Sequence, residues 1–300
     1  MKYLPASFLI LVALASLLRG QKHSLVTHWS FDDLEPSKPA VRDHAGNQID
    51  VIEGKFRLMP GVMGKALRFD GYTTVLDRAA SSAPSLERGF TIEAWVAQAA
   101  YPWNRCPVIS QADVDEKRGY RLMVGTRGEL ILEVGTGTGW YSLASEEWRL
   151  PLRKWVHVAA TFAAEEGLHL YIDGESAGSL PISGAMKPAS GVDLRVGSLH
   201  EPAKPAHIHR DWGTLPTWWT LDGQLDELKI YGRALPKRDI TRSARSAAST
   251  EPPEMPLRRM PSGPEGPARF GASYTELEFY EQWDDLWRVD KDPDVVVQFD

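Results

Sequence analysis

The chain has 300 residues, of which 43% are hydrophobic and 25% are charged. This composition is globular and excludes a wholly disordered or collagen-like chain. The formal net charge of -6 argues against a dedicated nucleic-acid binder, which needs a basic surface. A single cysteine, Cys106, excludes an intramolecular disulfide, so stability must come from packing or from a metal.

The first twenty residues have the pattern of a secretory signal peptide. Met1-Lys2-Tyr3 supplies a positive start, and residues 8–18 are an unbroken run of apolar and small side chains. Ala13-Leu14-Ala15 is a possible cleavage site, and a second lies near Gly20. The apolar run is too short for a bilayer span, which needs about 20 residues. We therefore expect residues 1–20 to be removed, leaving a secreted or periplasmic protein with no membrane span.

After the signal peptide, the hydrophobic pattern has a period of two, which is typical of strands with one buried face. Asp173-Gly174 has the composition of a two-residue hairpin turn, and Thr126-Arg127-Gly128 that of a slightly longer one. No stretch shows helical periodicity over three turns, although one short helical turn is expected at 236–244. The predicted strands are 25–31, 66–69, 90–96, 120–124, 129–134, 155–162, 168–172, 194–196 and 225–231, with 176–180 as the second arm of the Asp173-Gly174 hairpin.

About ten to a dozen strands in one stretch of this length predict an all-β fold, an antiparallel two-sheet sandwich or jelly roll. The body is expected at 24–246, followed by a proline-rich linker at 247–267 that can neither pair as a strand nor continue a helix. Residues 251–300 hold 12 Asp and Glu against 5 Lys and Arg. The acidic, aromatic segment 268–300 ends in a strand-like run that either docks on the jelly roll or opens a truncated second domain, and we favour the second interpretation.

Seven segments of the body occur in a characteristic order. They are HWSFDD at 28–33, DHAGN at 43–47, GKALRFDG at 64–71, FTIEAWV at 90–96, KWVHVAATF at 154–162, LHLYIDGE at 168–175 and GQLDELKIYGRAL at 223–235. This series resembles the laminin-G-like jelly roll of the concanavalin A-like lectin and glucanase superfamily. The resemblance implies two antiparallel sheets, a curved concave face and often a structural calcium ion. It does not select a function, because this fold hosts lectins, adhesion modules and hydrolases alike.

The residues themselves offer a calcium site. Alternation along the last strand places Asp226 on one face with Leu228 and Ile230, where a carboxylate is costly to bury unless it is paired or binds a cation. Asp43 and Asn47 lie in an oxygen-rich turn beside the first strand. We therefore expect Asp43, Asn47 and Asp226 to supply part of a structural Ca²⁺ shell. The alternative is that the first two cap a turn while Asp226 accepts backbone amides.

The chain offers no convincing catalytic pair. Retaining glucanases of this superfamily carry Glu-x-Asp-x-Glu along one strand, and the nearest match has Glu129 and Glu133 with Ile131 at the middle position. Four residues of strand separate the two carboxylates by about 13 Å, beyond even the roughly 6.5–9.5 Å of inverting enzymes. We expect both to be solvent-facing and no residue to be catalytic. A pair assembled from different strands remains open.

Aromatic residues in predicted loops indicate a sugar-binding surface, because exposed rings stack on sugars and loop aromatics are harder to explain by core packing. The candidates are Trp212, Trp218, Trp219, Trp103 and Trp140. The alternative is that several of them cover the edges of the sandwich.

These expectations favour a secreted, non-catalytic, lectin-like module that binds carbohydrate on extracellular polysaccharide or on cell-surface glycans and glycoproteins. The alternative is an adhesion or protein-interaction module, in which the same aromatics anchor a protein partner. A glycoside hydrolase, or an accessory domain of one, is the least favoured function. The sequence identifies neither the ligand nor the oligomeric state.

Overall fold

The computed structural model describes residues 24–254, apart from positions 36, 72, 103–104, 146, 201–220 and 247–251. The strands are β1 (Leu25–Trp29), β2 (Ala40–Arg42), β3 (Ile49–Glu53), β4 (Arg57–Pro60), β5 (Lys65–Asp70), β6 (Val75–Arg78), β7 (Gly89–Gln98), β8 (Cys106–Asp113), β9 (Arg118–Val124), β10 (Leu130–Thr136), β11 (Trp140–Ala144), β12 (Val156–Ala163), β13 (Gly167–Ile172), β14 (Glu175–Leu180), β15 (Leu194–Val196) and β16 (Asp222–Tyr231). A 3-10 turn lies at Ala80–Ser82, and helix α1 spans Lys237–Ser246. The predicted signal peptide and acidic segment fall outside these ranges.

The strands form two antiparallel sheets of eight strands each, which confirms the predicted sandwich. The first sheet has the order β14-β13-β12-β7-β16-β5-β4, with β1 also paired to β16. The second sheet has the order β11-β10-β9-β8-β15-β6-β3-β2. Since β1 pairs with β16, the first and last strands of the body are neighbours.

The core lies between the two sheets and is built from every second residue of their strands. Phe90 of β7 meets Tyr120 of β9 across the sandwich, with ring centroids 5.1 Å apart, and lies 5.7 Å from Phe162 of β12. Such aromatic pairs contribute about 0.5–1.5 kcal/mol beyond the area that they bury. Cys106 is fully buried, and burial raises the pKa of its thiol, so it acts as a small apolar side chain.

Helix α1 covers part of the outer face of the first sheet. Its Ile240 and the preceding Leu235 pack on Ala159 and Tyr171, which point away from the core on β12 and β13. The predicted single helical turn is therefore a ten-residue helix with an apolar contact face. Helix α1 therefore shields this part of β12 and β13 from solvent.

The predicted hairpin at Asp173-Gly174 joins β13 to β14, with positive φ angles of 50° and 78° at the two residues. Both positive angles are the signature of a primed turn, whose twist matches that of the strands. The structure also contains strands that the sequence pattern did not predict. β2, β4 and β6 have only three or four residues, and in β8 a register shift between Pro107 and Ile109 interrupts the alternation.

A buried cation joins the two sheets. The Arg78 guanidinium donates to Asp50 at 2.6 and 3.0 Å, to a carboxylate oxygen of Asp43 at 2.8 Å and to Oγ1 of Thr27 at 2.8 Å. It lies 4.5 Å from the ring centre of Trp29, whose Nε1 donates to Asp50 at 2.8 Å. All five side chains are buried. We call this group the Arg78 cluster, and it ties β1 of the first sheet to β3 and β6 of the second.

Asp43→Ala should strongly destabilise the fold, because it leaves the buried Arg78 guanidinium with one carboxylate where two now hold it. Breaking a buried ion pair costs about 3–5 kcal/mol. Urea unfolding measures the loss, with Asp33→Ala as the control at an exposed carboxylate of the same region. A loss below about 1 kcal/mol, the range of surface ion pairs, would contradict the structural role of the cluster.

Candidate functional site

Of the five aromatic candidates, the structure describes only Trp140. Trp103, Trp212, Trp218 and Trp219 lie outside the described residues. Trp140 was predicted in a loop but begins β11, where it pairs with Gly135 of β10. The pattern was misleading because β11 is an edge strand whose residues are half-buried or exposed on both faces, so it lacks the alternation of a central strand.

Trp140 belongs to a polar group on the outer face of the second sheet, which we call the outer-face cluster (Arg105, Arg121, Glu133, Trp140 and Ser142). Glu133 of β10 lies opposite Arg121 of β9 and Ser142 of β11 in the strand register. Its neighbours Leu132 and Val134 face the core, so Glu133 points outward. Three adjacent strands therefore present these side chains on one surface.

The outer-face cluster is held together by charge. Oε2 of Glu133 accepts from Arg121 at 2.5 and 3.0 Å, and Oε1 accepts from Arg105 at 2.7 Å and from the Ser142 hydroxyl at 3.2 Å. The guanidinium of Arg121 lies 4.8 Å from the ring centre of Trp140. Two arginines against one glutamate leave the cluster with an excess positive charge, and Arg105 is half-exposed.

Glu133 was predicted to face solvent, and the structure corrects this, since only 4% of the residue is exposed. The sequence pattern could not show that arginines from neighbouring strands lie over it. Glu129 is also engaged: its Oε2 accepts the backbone amide of Arg127 at 2.9 Å, and its Oε1 lies 3.8 Å from Arg149. Both carboxylates of the predicted non-catalytic pair therefore have partners within the fold.

An open cleft of about 480 Å³ lies at the other edge of the second sheet, by β2 and β3. Its walls carry acidic and basic side chains in equal number, Asp33 and Glu35 against Lys38 and Arg42, with the apolar side chain of Ile49. The residues that line it include no Trp, Tyr or Phe, and the imidazole of His44 is their one ring. We therefore regard the outer-face cluster as the better candidate for stacking on a ligand.

Asp43, one of the three predicted calcium ligands, is fully buried and already engaged. Its Oδ1 accepts backbone amides of His28, Ala45 and Gly46 at 2.8–3.0 Å, and its Oδ2 accepts from Arg78. Burial alone would raise the pKa of Asp43, but these donors lower it below the usual range. Such an arrangement leaves Asp43 little capacity for a cation and agrees with the alternative in which it stabilises a turn.

Asn47 is exposed and has a φ of 55°, so it occupies the left-handed position of that same turn. Its backbone amide donates to the carbonyl of Asp43 at 2.8 Å. In the described ranges, no group of three or more His, Cys, Asp or Glu side chains is arranged to hold a metal. The calcium ion itself stays a prediction.

Asp226, the third predicted ligand, was placed on the apolar face of the last strand, and this was wrong. A β-bulge between Asp226 and Lys229 shifts the register, with Glu227 at a φ of 53°. Leu225 and Leu228 both face the core although they are three residues apart. Asp226 lies opposite Trp95 on the outer side, because a bulge adds a residue and reverses the alternation.

A buried polar network lies on the outer face of the first sheet beside helix α1. Oε1 of Glu93 accepts from the hydroxyls of Tyr231 at 2.9 Å and Ser243 at 3.1 Å. Nε2 of His157 lies 3.7 Å from Oε2 of Glu93, and its ring packs edge-on against Trp95. Burial raises the pKa of Glu93 and lowers that of His157 to about 3. His157 is therefore neutral in the folded protein at neutral pH.

A family model for the concanavalin A-like lectin/glucanases superfamily matches residues 70–241. No curated protein sequence matches the chain. Domain 4 of AbnA, a GH43 extracellular arabinanase from Geobacillus stearothermophilus solved with arabinotriose, has a similar structure with a TM-score of 0.55 and 19% identity. That similarity covers 74% of this chain and 98% of the arabinanase domain.

Two toxin structures are also similar. The binding domain of Paraclostridial Mosquitocidal Protein 1 has a TM-score of 0.56 and 15% identity, over 75% of this chain and 53% of its own. A structure of botulinum neurotoxin type C, whose cell entry depends on two ganglioside molecules, has a TM-score of 0.55 and 13% identity. It covers 78% of this chain and 53% of its own, so this chain spans about half of each toxin structure. At these identities the likeness shows the fold alone.

The pH dependence of stability should report on His157. The folded pKa of about 3 lies below the ordinary value of about 6.5, so below that value the unfolded chain binds a proton that the folded chain does not. As the pH falls from about 6.5 to about 3, His157 therefore lowers the free energy of unfolding by up to about 1.4 kcal/mol per pH unit. We expect His157→Gln to flatten the dependence.

Urea unfolding across that pH range measures the effect, with His169→Gln as the control at a half-buried histidine of β13. Glu93 acts in the opposite direction because its pKa is raised, so the difference between variant and wild type is the informative quantity. Parallel profiles for wild type and His157→Gln would contradict the prediction.

Proposed function

We propose that this chain, which belongs to the concanavalin A-like lectin and glucanase superfamily, is a secreted, non-catalytic module that binds carbohydrate. The observation that carries the proposal is the outer-face cluster, in which a half-buried indole lies beside a charged, hydrogen-bonding group on the outer face of the second sheet. Because this fold also supports other activities, the proposal rests on the chemistry of the cluster.

A sugar ring has an apolar face of C–H groups and an edge of hydroxyls, and the outer-face cluster has a partner for each. Trp140 supplies an aromatic ring of the kind that stacks on sugars, while Arg105 and Ser142 supply donors at the surface. Arg121 is fixed between Glu133 and the indole before any ligand arrives. Groups held in advance lose less conformational entropy on binding, which favours affinity.

The similar structures support the same class of ligand. One is an arabinanase domain solved with arabinotriose, and another is a neurotoxin whose cell entry involves gangliosides. The non-catalytic part of the proposal is supported by Glu133, whose two oxygens are both occupied by arginines, which disfavours a role as an acid or nucleophile. A neurotoxin binding domain solved with rat synaptotagmin II keeps a protein partner as the second candidate.

Trp140→Ala should weaken glycan binding by about tenfold, which corresponds to about 1.4 kcal/mol of lost stacking. The purified chain, with residues 1–20 removed, is applied to a glycan array, and the affinity for the best sugar is then measured by titration. Trp148→Ala is the matched control, because that indole is 44% exposed but lies outside the cluster. Trp218→Ala tests the other predicted aromatic segment.

An equal loss of glycan affinity in Trp140→Ala and Trp148→Ala would contradict a binding site at the outer-face cluster. A loss confined to Trp218→Ala would move the site to the segment that the structure does not describe. A blank array with a folded protein would favour a protein partner, and release of reducing ends from polysaccharide would contradict the non-catalytic assignment.

Export is the other part of the proposal, and it rests on the pattern of residues 1–20. No helix in the described ranges is long and apolar enough to cross a membrane. Expression of the full chain in a secreting host should yield a shortened protein outside the cytoplasm. Amino-terminal sequencing should then find a new terminus close after Ala15 or Gly20, and an intact Met1 terminus on the mature protein would contradict it.

A further inference from the structure

A row of polar side chains crosses the outer face of the second sheet from one strand to the next. The register places Ser110 of β8 opposite Arg121 of β9 and also opposite Arg195 of β15. Arg195 lies opposite Asp77 of β6, and Arg121 lies opposite Glu133 of β10. Because residues that pair across a sheet project from the same face, all of them lie on the side of the outer-face cluster. We call them the arginine row (Glu133, Arg121, Ser110, Arg195 and Asp77).

Each arginine of the row is held by a carboxylate and still has an unused donor. Nε and Nη2 of Arg121 donate to Glu133, and Nε of Arg195 donates to Asp77 at 2.7 Å. Nη1 of Arg195 donates to the carbonyl of Leu199 at 3.2 Å. Among the described residues, Nη1 of Arg121 and Nη2 of Arg195 have no acceptor. The two guanidiniums are therefore fixed in place, and each can bind a further group.

Two more donors without a partner lie on either side of Arg121. The hydroxyl of Ser110, between the two arginines, forms no hydrogen bond within the described chain, and only 1% of that residue is exposed. On the other side, Nε1 of Trp140 is also buried and without a partner among the described residues. The ring centre of Trp140 lies 4.8 Å from the Arg121 guanidinium. Because buried polar groups are seldom left without a partner, these donors indicate a ligand with acceptor oxygens.

The charge of this surface favours an anion. Three arginines, Arg105, Arg121 and Arg195, stand against two carboxylates, Glu133 and Asp77, which leaves one excess positive charge. The whole chain has a formal net charge of -6, so a basic face is unusual within it. A guanidinium with a free nitrogen matches the oxygens of a carboxylate or a sulfate, to which it can donate charge-assisted hydrogen bonds.

The spacing of the row suits a chain of sugars. Neighbouring strands lie about 4.8 Å apart, so the backbones of Arg121 and Arg195, on either side of β8, are separated by roughly 10 Å. This distance is comparable to the length of a disaccharide. A polysaccharide that crosses the strands with one ring on Trp140 would bring successive acidic groups to both arginines.

We propose that the arginine row binds the carboxylate or sulfate groups of an acidic polysaccharide, an inference that rests on the proposed carbohydrate binding and names its class of sugar. The anionic oxygens lie between Arg121 and Arg195 and accept from the free guanidinium nitrogens and from the Ser110 hydroxyl. A neutral polysaccharide stacks on Trp140 in the same way but leaves the donors of the row unfilled. The row therefore selects acidic over neutral sugars.

The test compares polymers that share a backbone and differ in charge. Polygalacturonate and its methyl ester form the carboxylate pair, and dextran sulfate and dextran form the sulfate pair. Calorimetry should show that the mature chain binds at least one acidic polymer about tenfold more tightly than its neutral counterpart, and that salt reduces this preference. The pair with the larger preference identifies the anionic group.

Ser110→Ala tests the row without disturbing the fold, because the hydroxyl that it removes has no partner in the described chain. It should lower the preference for the acidic polymer about tenfold, since a hydrogen bond to a charged oxygen is lost. Arg195→Gln should lower that preference at least as much. Arg88→Gln is the matched control, because this exposed arginine pairs with Glu165 at 3.6 Å, lies outside the row and should leave the preference unchanged. Circular dichroism checks that each variant is folded.

Three results would overturn the inference. Equal binding of both members of each pair would show that the sugar's charge is not recognised, although the proposed carbohydrate binding would stand. A preference that survives both Ser110→Ala and Arg195→Gln, or that Arg88→Gln reduces as strongly, would indicate a diffuse attraction to polyanions. A folded chain that binds neither acidic nor neutral polymers, nor any sugar on the glycan array, would contradict the proposed function and this inference together.

Discussion

The relative position of the two sheets depends on one buried guanidinium. Apolar contacts across a sandwich are non-directional and tolerate small shifts between sheets, but Arg78 must satisfy fixed donor directions with acceptors from β1, β3 and the turn that contains Asp43. Two carboxylates and an indole hold it in place. This geometry sets the position of β1 in the first sheet relative to β6 in the second. Because β1 is paired with β16, it also sets the position of β16.

The β16 bulge has effects on both faces of the first sheet. Before it, Leu225 faces the core, and after it Leu228 and Ile230 do so, so the core is continuous although the strand gains a residue. On the outer side the same shift lines up Asp226, Lys229 and Tyr231. The bulge thus sends one carboxylate toward the junction of β1 and β5, while Tyr231 reaches the network around Glu93. In a regular strand, alternation would place Asp226 and Tyr231 on opposite faces of the sheet.

The alternation of apolar and polar residues in the sequence predicted those strands in which the alternation is regular. The alternation of β7, β12 and β13 and the turn at Asp173-Gly174 indicate the sandwich directly, because apolar core residues such as Phe90 and Ile92 alternate with polar outward residues. The pattern failed at β8, where the register shifts between Pro107 and Ile109, and at Asp226, where a one-residue bulge inverts the alternation. It failed at Glu133 too, because the arginine that covers it, Arg121, arrives from another strand and no local window contains both.

The described body begins and ends on the same sheet. Leu25 pairs with Tyr231 of β16, and the backbone of Glu254 accepts a hydrogen bond from Gln224 of the same strand. The outer-face cluster lies on the opposite sheet, with the core between them and sheet centres separated by about 10 Å in such packings. Anything joined to either end of the body is therefore attached at the back of the sandwich. If the outer-face cluster is the recognition face that we propose, it points away from any segment attached at these ends, which leaves it free to reach an insoluble or crowded surface.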